Sequence, residues 1–209
     1  MSETALSTLE AIIRKCPLEV NDFLDDLLDT SFRLCSYDPN YVYNEEDDEE
    51  MKDDDEEDGG WGDDYSDDNG MPEDDDDTSW KVRRSAVAII DAVLKTRQDK
   101  VKQIIQLYAN KLIDRVKERI DDVKIEILNA LQGMISASME TQDSTLELDL
   151  KSQNSVVRQL SVGEGLMDKQ LVVTRVLIKQ IKSKNLKVKV AAIETLSAFA
   201  LLIGFNLDK

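Results

Sequence analysis

Histidine is absent from all 209 residues. That excludes a serine or cysteine protease built on an imidazole base, a histidine-containing zinc site and a histidine pH switch. Two cysteines, Cys16 and Cys35, are too few for a disulfide framework or a four-thiolate metal site. They are expected to be reduced core thiols in a cytoplasmic or nuclear setting. Long apolar runs are missing as well. The most apolar stretch, 190–205, is broken by Glu194, Thr195 and Ser197, so no membrane span is expected. The first residues lack the basic, apolar, small-residue order of a targeting segment. No strand, helix-start lysine or Gly-rich loop makes a phosphate cradle, and Gly163-Glu164-Gly165 is not one. With no constellation for catalysis, the chain reads as neither an enzyme nor a cofactor binder, with no small-molecule substrate, nucleic acid or membrane as partner.

What is abundant is negative charge, and it is concentrated. The formal net charge is −18, yet 21 of the 33 positions from Glu45 to Asp77 are Asp or Glu against one lysine. The rest of the chain is therefore close to neutral. A block so poor in apolar residues cannot offset its ordering entropy, and self-repulsion extends it. Its field reaches about a Debye length, ~8 Å at physiological salt. The segment 37–78 is expected to be a disordered acidic loop. It lacks the spaced ligands of an EF-hand, so only diffuse Ca²⁺ or Mg²⁺ binding is expected. Ser66, followed by two aspartates, looks like an acidophilic kinase site of little electrostatic consequence.

Elsewhere the apolar residues recur at three and four, the helical period. Ser2 is the expected cap of a first helix carrying Leu6, Leu9, Ile12 and Ile13, ended near Pro17. A second follows with Val20, Phe23, Leu24, Leu27, Leu28 and Cys35. A third begins after Ser79 with Val82, Ala86, Ile89, Ile90, Val93 and Leu94. Val101 to Val116 and Val123 to Met134 mark the fourth and fifth. Met167, Leu171, Val176, Leu177 and Ile181 mark the sixth, and Val188 to Ile203 the last. Three helices open alike, at Val82-Arg83, Val123-Lys124 and Val188-Lys189. The first two starts are 41 residues apart, within the roughly 40–47 of HEAT and armadillo units. The next spacing, 65, is longer by a polar insertion. The expected fold is all-α: a HEAT/armadillo-like α-solenoid with one long acidic loop. Its expected division is a helix remnant and the first helix of a pair (1–36), the loop (37–78), HEAT helices (79–139), the insertion (140–163) and a HEAT pair (164–205). The uncapped apolar end of the last helix is expected either to be covered by another segment or a partner or to be a sticky end.

The flanks of the loop resemble a known family. Tyr37-Asp38-Pro39-Asn40-Tyr41 leads in, and Ser79-Trp80-Lys81-Val82-Arg83-Arg84 leads out. Together with Tyr65-Ser66-Asp67-Asp68, Lys117-Glu118-Arg119 and Val123-Lys124, they look like the cullin-associated, neddylation-dissociated family. The resemblance runs from Leu6 to Ile203 and places the chain in an interior portion of that family's amino-terminal part. It implies a HEAT-repeat scaffold that binds the cullin–RING module of ubiquitin ligases, blocks the unneddylated cullin and exchanges substrate receptors. The family's carboxy-terminal repeats, charged with displacing the adaptor, have no counterpart here.

Candidate partner-binding residues are Trp80, Lys81, Arg83, Arg84 and Lys124. Thr78 to Ile135 holds 12 basic and 7 acidic residues. These cations either grip an acidic partner or are screened by the adjacent acidic loop, which would then filter partners by charge. Trp80 is either an interface anchor or a packing residue at its helix start. Two other functions share these features: an acidic-tract chaperone for histones or other basic proteins, and an importin-like adaptor.

Overall fold

The computed structural model describes residues 3–37, 78–149, 166 and 168–207. The acidic tract, the Ser2 cap, Met167 and residues 150–163 of the polar insertion lie outside them. Seven α-helices and no strand occur among the described residues: α1 (Glu3–Lys15), α2 (Leu24–Leu34), α3 (Ser79–Thr96), α4 (Val101–Arg115), α5 (Asp121–Asp149), α6 (Gln170–Ile181) and α7 (Leu186–Leu207). Short 3-10 turns, Asn21–Phe23 and Gln98–Lys100, lead into α2 and α4.

Helix ends follow local chemistry. Glu3 and the Arg14–Lys15 pair complement the dipole of α1. Asp25 and Asp26 open α2, and Asp121 and Asp122 open α5. Asn185 caps α7: its Oδ1 accepts the backbone N–H of Lys187 at 2.9 Å.

The helices form two rows. α1, α3, α5 and α7 pack successively against one another. α2, α4 and α6 lie outside them, each packed on the helix that follows it. Each α2–α3, α4–α5 and α6–α7 pair thus leaves apolar surface that the next pair covers, which is how repeat arrays build one continuous core. Position in the rows decides composition. α3, enclosed by α1, α2 and α5, buries Ala86, Val87, Ile89, Ile90, Ala92, Val93 and Leu94, apolar nearly all round. The outer helices bury one stripe each. α2 and α4 touch where the Phe32 and Tyr108 rings stack at 4.2 Å, and Tyr108 donates its hydroxyl to Asp29. Burial and that carboxylate raise the Tyr108 phenol well above its ordinary value.

Several sequence expectations change, among them Ile12 of α1, which is 43% exposed. α5 runs on to Asp149, so the first ten positions of the expected insertion are helical. Phe23 and Leu171 are 69% and 81% exposed rather than core. Phe23 sits in the 3-10 turn, out of register with α2. In α6 the buried stripe is Val173, Leu177 and Gln180, and Leu171 shares the opposite face with Ile178.

Candidate protein-binding faces

Three features of the two-row array bear on function: the edge where the acidic tract is rooted, a polar groove across the inner row, and a lysine-rich turn.

At the first, Arg83 does not face solvent as the expectation for it required. Arg83 and Glu118 are buried, with side chains 4% and 3% exposed. Arg83 Nε and Nη2 reach Glu118 Oε2 and Oε1 at 3.2 and 3.5 Å. Nη1 donates to the Tyr37 carbonyl at 3.0 Å and to Ser79 Oγ at 2.8 Å. Tyr37 and Ser79 flank the tract, so one guanidinium holds both of its roots. Glu118, in the α4–α5 turn, also accepts Arg115 Nη2 at 2.6 Å and the backbone N–H groups of Arg119 and Ile120. A charge pair this dry persists only because nearly every lone pair and proton is matched. The pair is therefore a joint between successive repeats, with both side chains covered within the chain.

The other candidates differ in reach. Trp80 is half-buried against the core, with Lys81 Nζ 5.8 Å from its ring centroid. Lys124 is largely covered and bonds Asp121 at 3.2 Å. Arg84 is exposed and faces Glu126 at 3.9 Å. The structure does not gather these residues into one patch with Arg83. Arg84 alone of the five lines the groove described next.

That groove, of about 770 Å³, crosses α1, α3 and α5. Glu10 and Arg14 enter it from α1, Arg84, Asp91 and Lys95 from α3, and Glu126 from α5. Asp91 is 5% exposed. Arg14 Nη2 and Lys95 Nζ donate to its Oδ2 at 3.2 and 2.8 Å. Among the described residues, no group of three or more carboxylates or thiols converges to hold a metal ion.

Sequence reasoning missed the third feature. Lys179, Lys182, Lys184, Lys187 and Lys189 crowd the α6–α7 turn with no acid among residues 179–189. All but Lys189 are exposed. The turn lies on the same edge as the Arg83–Glu118 joint, since Asn185 Nδ2 bonds Asp121 Oδ2 at 2.8 Å. Counting charge over 78–135 stopped short of it; counting lysines per turn finds it.

The two thiols also part company. Cys35 is buried and its pKa is pushed up to about 12 by desolvation, whereas Cys16, just beyond α1, is exposed. A thiol-specific disulfide reagent is expected to modify one cysteine in the native protein and two after denaturation. Between the ordinary thiol pKa near 9 and about 12, only the unfolded state ionises Cys35. Its contribution to stability is thus full below pH 9 and lost as pH rises through that window. Two cysteines reacting equally fast in the native state would contradict this burial.

Stacked helix pairs joined in this way define a helical-repeat scaffold of the HEAT-like kind. No family model matches the chain. The cullin-associated NEDD8-dissociated protein 1 of Dictyostelium discoideum is 35% identical across 99% of this chain, and that of Arabidopsis thaliana 30% across 97%. The mouse cullin-associated NEDD8-dissociated protein 2 is 41% identical across 62%. The chain is homologous to an interior portion of these proteins, spanning 16%, 15% and 10% of their respective lengths. The resemblance drawn from the acidic tract's flanks thus extends along nearly the whole chain.

Proposed function

We propose that this chain is a non-enzymatic scaffold that binds a cullin–RING core and regulates ligase assembly by covering the cullin while it lacks NEDD8. The observation that carries this reading is similarity to cullin-associated NEDD8-dissociated proteins across 97–99% of the chain, on a two-row helical array. Occlusion needs surface rather than catalysis. An array of stacked pairs supplies a long, stiff face, because each pair fixes the position of the next. Substrate-receptor exchange by the assembled regulator belongs to the same proposal, as does a cytoplasmic or nuclear site of action. Neither nucleic acid nor a small molecule has a role in it. A division into HEAT helices from 79 to the end of α5 at Asp149 and a last pair within 164–205 goes with this reading, with the last pair completing the bound face.

The test is binding of the purified chain, and of a variant lacking residues 45–77, to unmodified and NEDD8-modified cullin–RING cores. The expected result is binding of the unmodified core by both variants, with the modified core bound at least roughly ten-fold more weakly, about 1.4 kcal/mol. Core binding that disappears with the tract, alongside steeply salt-dependent capture of histones, would replace this reading with the basic-protein chaperone.

A further inference from the structure

Charge along one edge of the array is balanced at one turn and one-sided at the next. Residues 114–124, through the α4–α5 turn, hold four basic and four acidic side chains. Residues 179–189, through the α6–α7 turn, hold five lysines and no acid. Other cations of the array find carboxylates: Arg14 and Lys95 on Asp91, Arg97 on Asp99, Lys124 on Asp121. Lys179, Lys182, Lys184 and Lys187 are exposed, and among the described residues none of them forms an ion pair. The backbone that carries them is held in place. Ser183 Oγ accepts the Asn185 N–H at 3.2 Å, Asn185 Oδ1 accepts the Lys187 N–H at 2.9 Å, and Asn185 Nδ2 donates to Asp121 Oδ2 at 2.8 Å. Like charges presented together on a fixed turn repel one another, and a ligand of opposite sign relieves that repulsion without having to order the turn.

The ligand's chemistry follows from the sign of the turn and its surroundings. No arginine or aromatic residue lies between 176 and 198, so nothing there stacks on nucleic-acid bases. An acidic polypeptide remains, and the chain itself holds a dense supply: 21 acids against one lysine from Glu45 to Asp77. Both roots of that tract sit on this edge. Arg83 binds Tyr37 and Ser79, its partner Glu118 lies in the α4–α5 turn, and Asp121 at the end of that turn binds Asn185 of the next. From α3 the α6–α7 turn is two inner-row helices away, roughly 20 Å at 8–10 Å per packed helix. The 40 residues between Tyr37 and Thr78 can reach out and back over more than that, at roughly 3.3 Å per extended residue. Tethering also sets the local concentration of their carboxylates on the order of millimolar, ahead of a dilute acidic protein. We propose that the lysine-rich α6–α7 turn is the docking site for the chain's own acidic tract, residues 45–77, with Lys182, Lys184 and Lys187 as its main contacts. The balanced α4–α5 turn, although nearer, has no such excess to offer. This inference stands independently of the cullin–RING reading.

The test uses the intact chain. A zero-length carbodiimide should join Lys182, Lys184 or Lys187 to acids of 45–77 within one monomer, located by peptide mapping, in clear excess over links to Lys117 of the α4–α5 turn. The links should fade in ~1 M salt, where the Debye length shrinks to about 3 Å. Acetylation of the three turn lysines should run at least roughly two-fold faster once 45–77 is deleted, as for a site that the tethered tract fills half the time or more. Lys102, exposed at the opposite end of α4, should react at an unchanged rate. Links spread evenly over Lys102, Lys117 and the α6–α7 turn, with acetylation rates that the deletion leaves alike, would overturn the site. Links found only between two chains would assign the turn to the tract of a second copy. Protection that arises only when the cullin–RING core is added would assign it to an external acidic partner. Either of those results would overturn docking within the chain, while core binding by itself would leave that question to the cross-links.

Discussion

Arg83→Met is expected to destabilise the protein by about 3–5 kcal/mol, the range for breaking a buried ion pair from one side. For a chain of this size that lowers the melting temperature by roughly 6–20 °C. The loss comes less from the attraction removed than from what stays behind. Glu118 would remain 3% exposed, keeping Arg115 and two backbone N–H groups as donors but losing its buried countercharge. The Tyr37 carbonyl and Ser79 hydroxyl would lose a shared donor. The double variant Arg83→Met/Glu118→Met removes both charges and should recover much of the loss, because an apolar pair of similar volume replaces a desolvated one. Urea unfolding of the two single variants and the double variant measures this. A double variant whose loss equals the sum of the singles would show that the two side chains act independently, contrary to the geometry.

How far this joint was legible in the sequence is instructive. The helix itself was legible, because Ala86, Ile89, Ile90 and Val93 repeat at the helical period and only α3 could carry them. Arg83 was misplaced because its neighbours Lys81 and Arg84 made the triplet look like a solvated cationic face. Its register argued otherwise: positions 83, 86, 87 and 90 share one side of a helix, and the other three are apolar and buried. Glu118 carries no such signal, since it lies in a turn where periodicity has no hold. The groove was beyond reach for another reason. Arg14, Asp91, Glu126 and Gly133 come from three helices, and which charges meet depends on how the helices are staggered in the row. The exposed face of α6 shows the same limit within one helix. Leu171 and Ile178 satisfy the period as well as Val173 and Leu177 do, and only packing on α7 chooses between the two faces.

Phe199→Ala is expected to cost about 3–5 kcal/mol as well, through the lost transfer energy of the ring and the cavity left behind. Phe199 is fully buried, among the largest side chains that are, and belongs to α7, which packs on both α5 and α6. The form of the loss should differ from that of the Arg83 variant. In a stacked array each pair is held chiefly by its neighbours, so a cavity at one junction loosens that junction first. Native-state hydrogen exchange of Phe199→Ala should show the amides of α6 and α7 losing protection while those in the middle of α3 keep most of theirs. For Arg83→Met the loss should fall instead at the start of α3 and the α4–α5 turn, where the joint lies. Two substitutions of similar energetic size would then open the molecule at different places. The α1–α3–α5 groove, remote from that junction, should stay intact in the Phe199 variant. Equal loss of protection across α3, α5 and α7 in both variants would mean one cooperative core rather than coupled repeats.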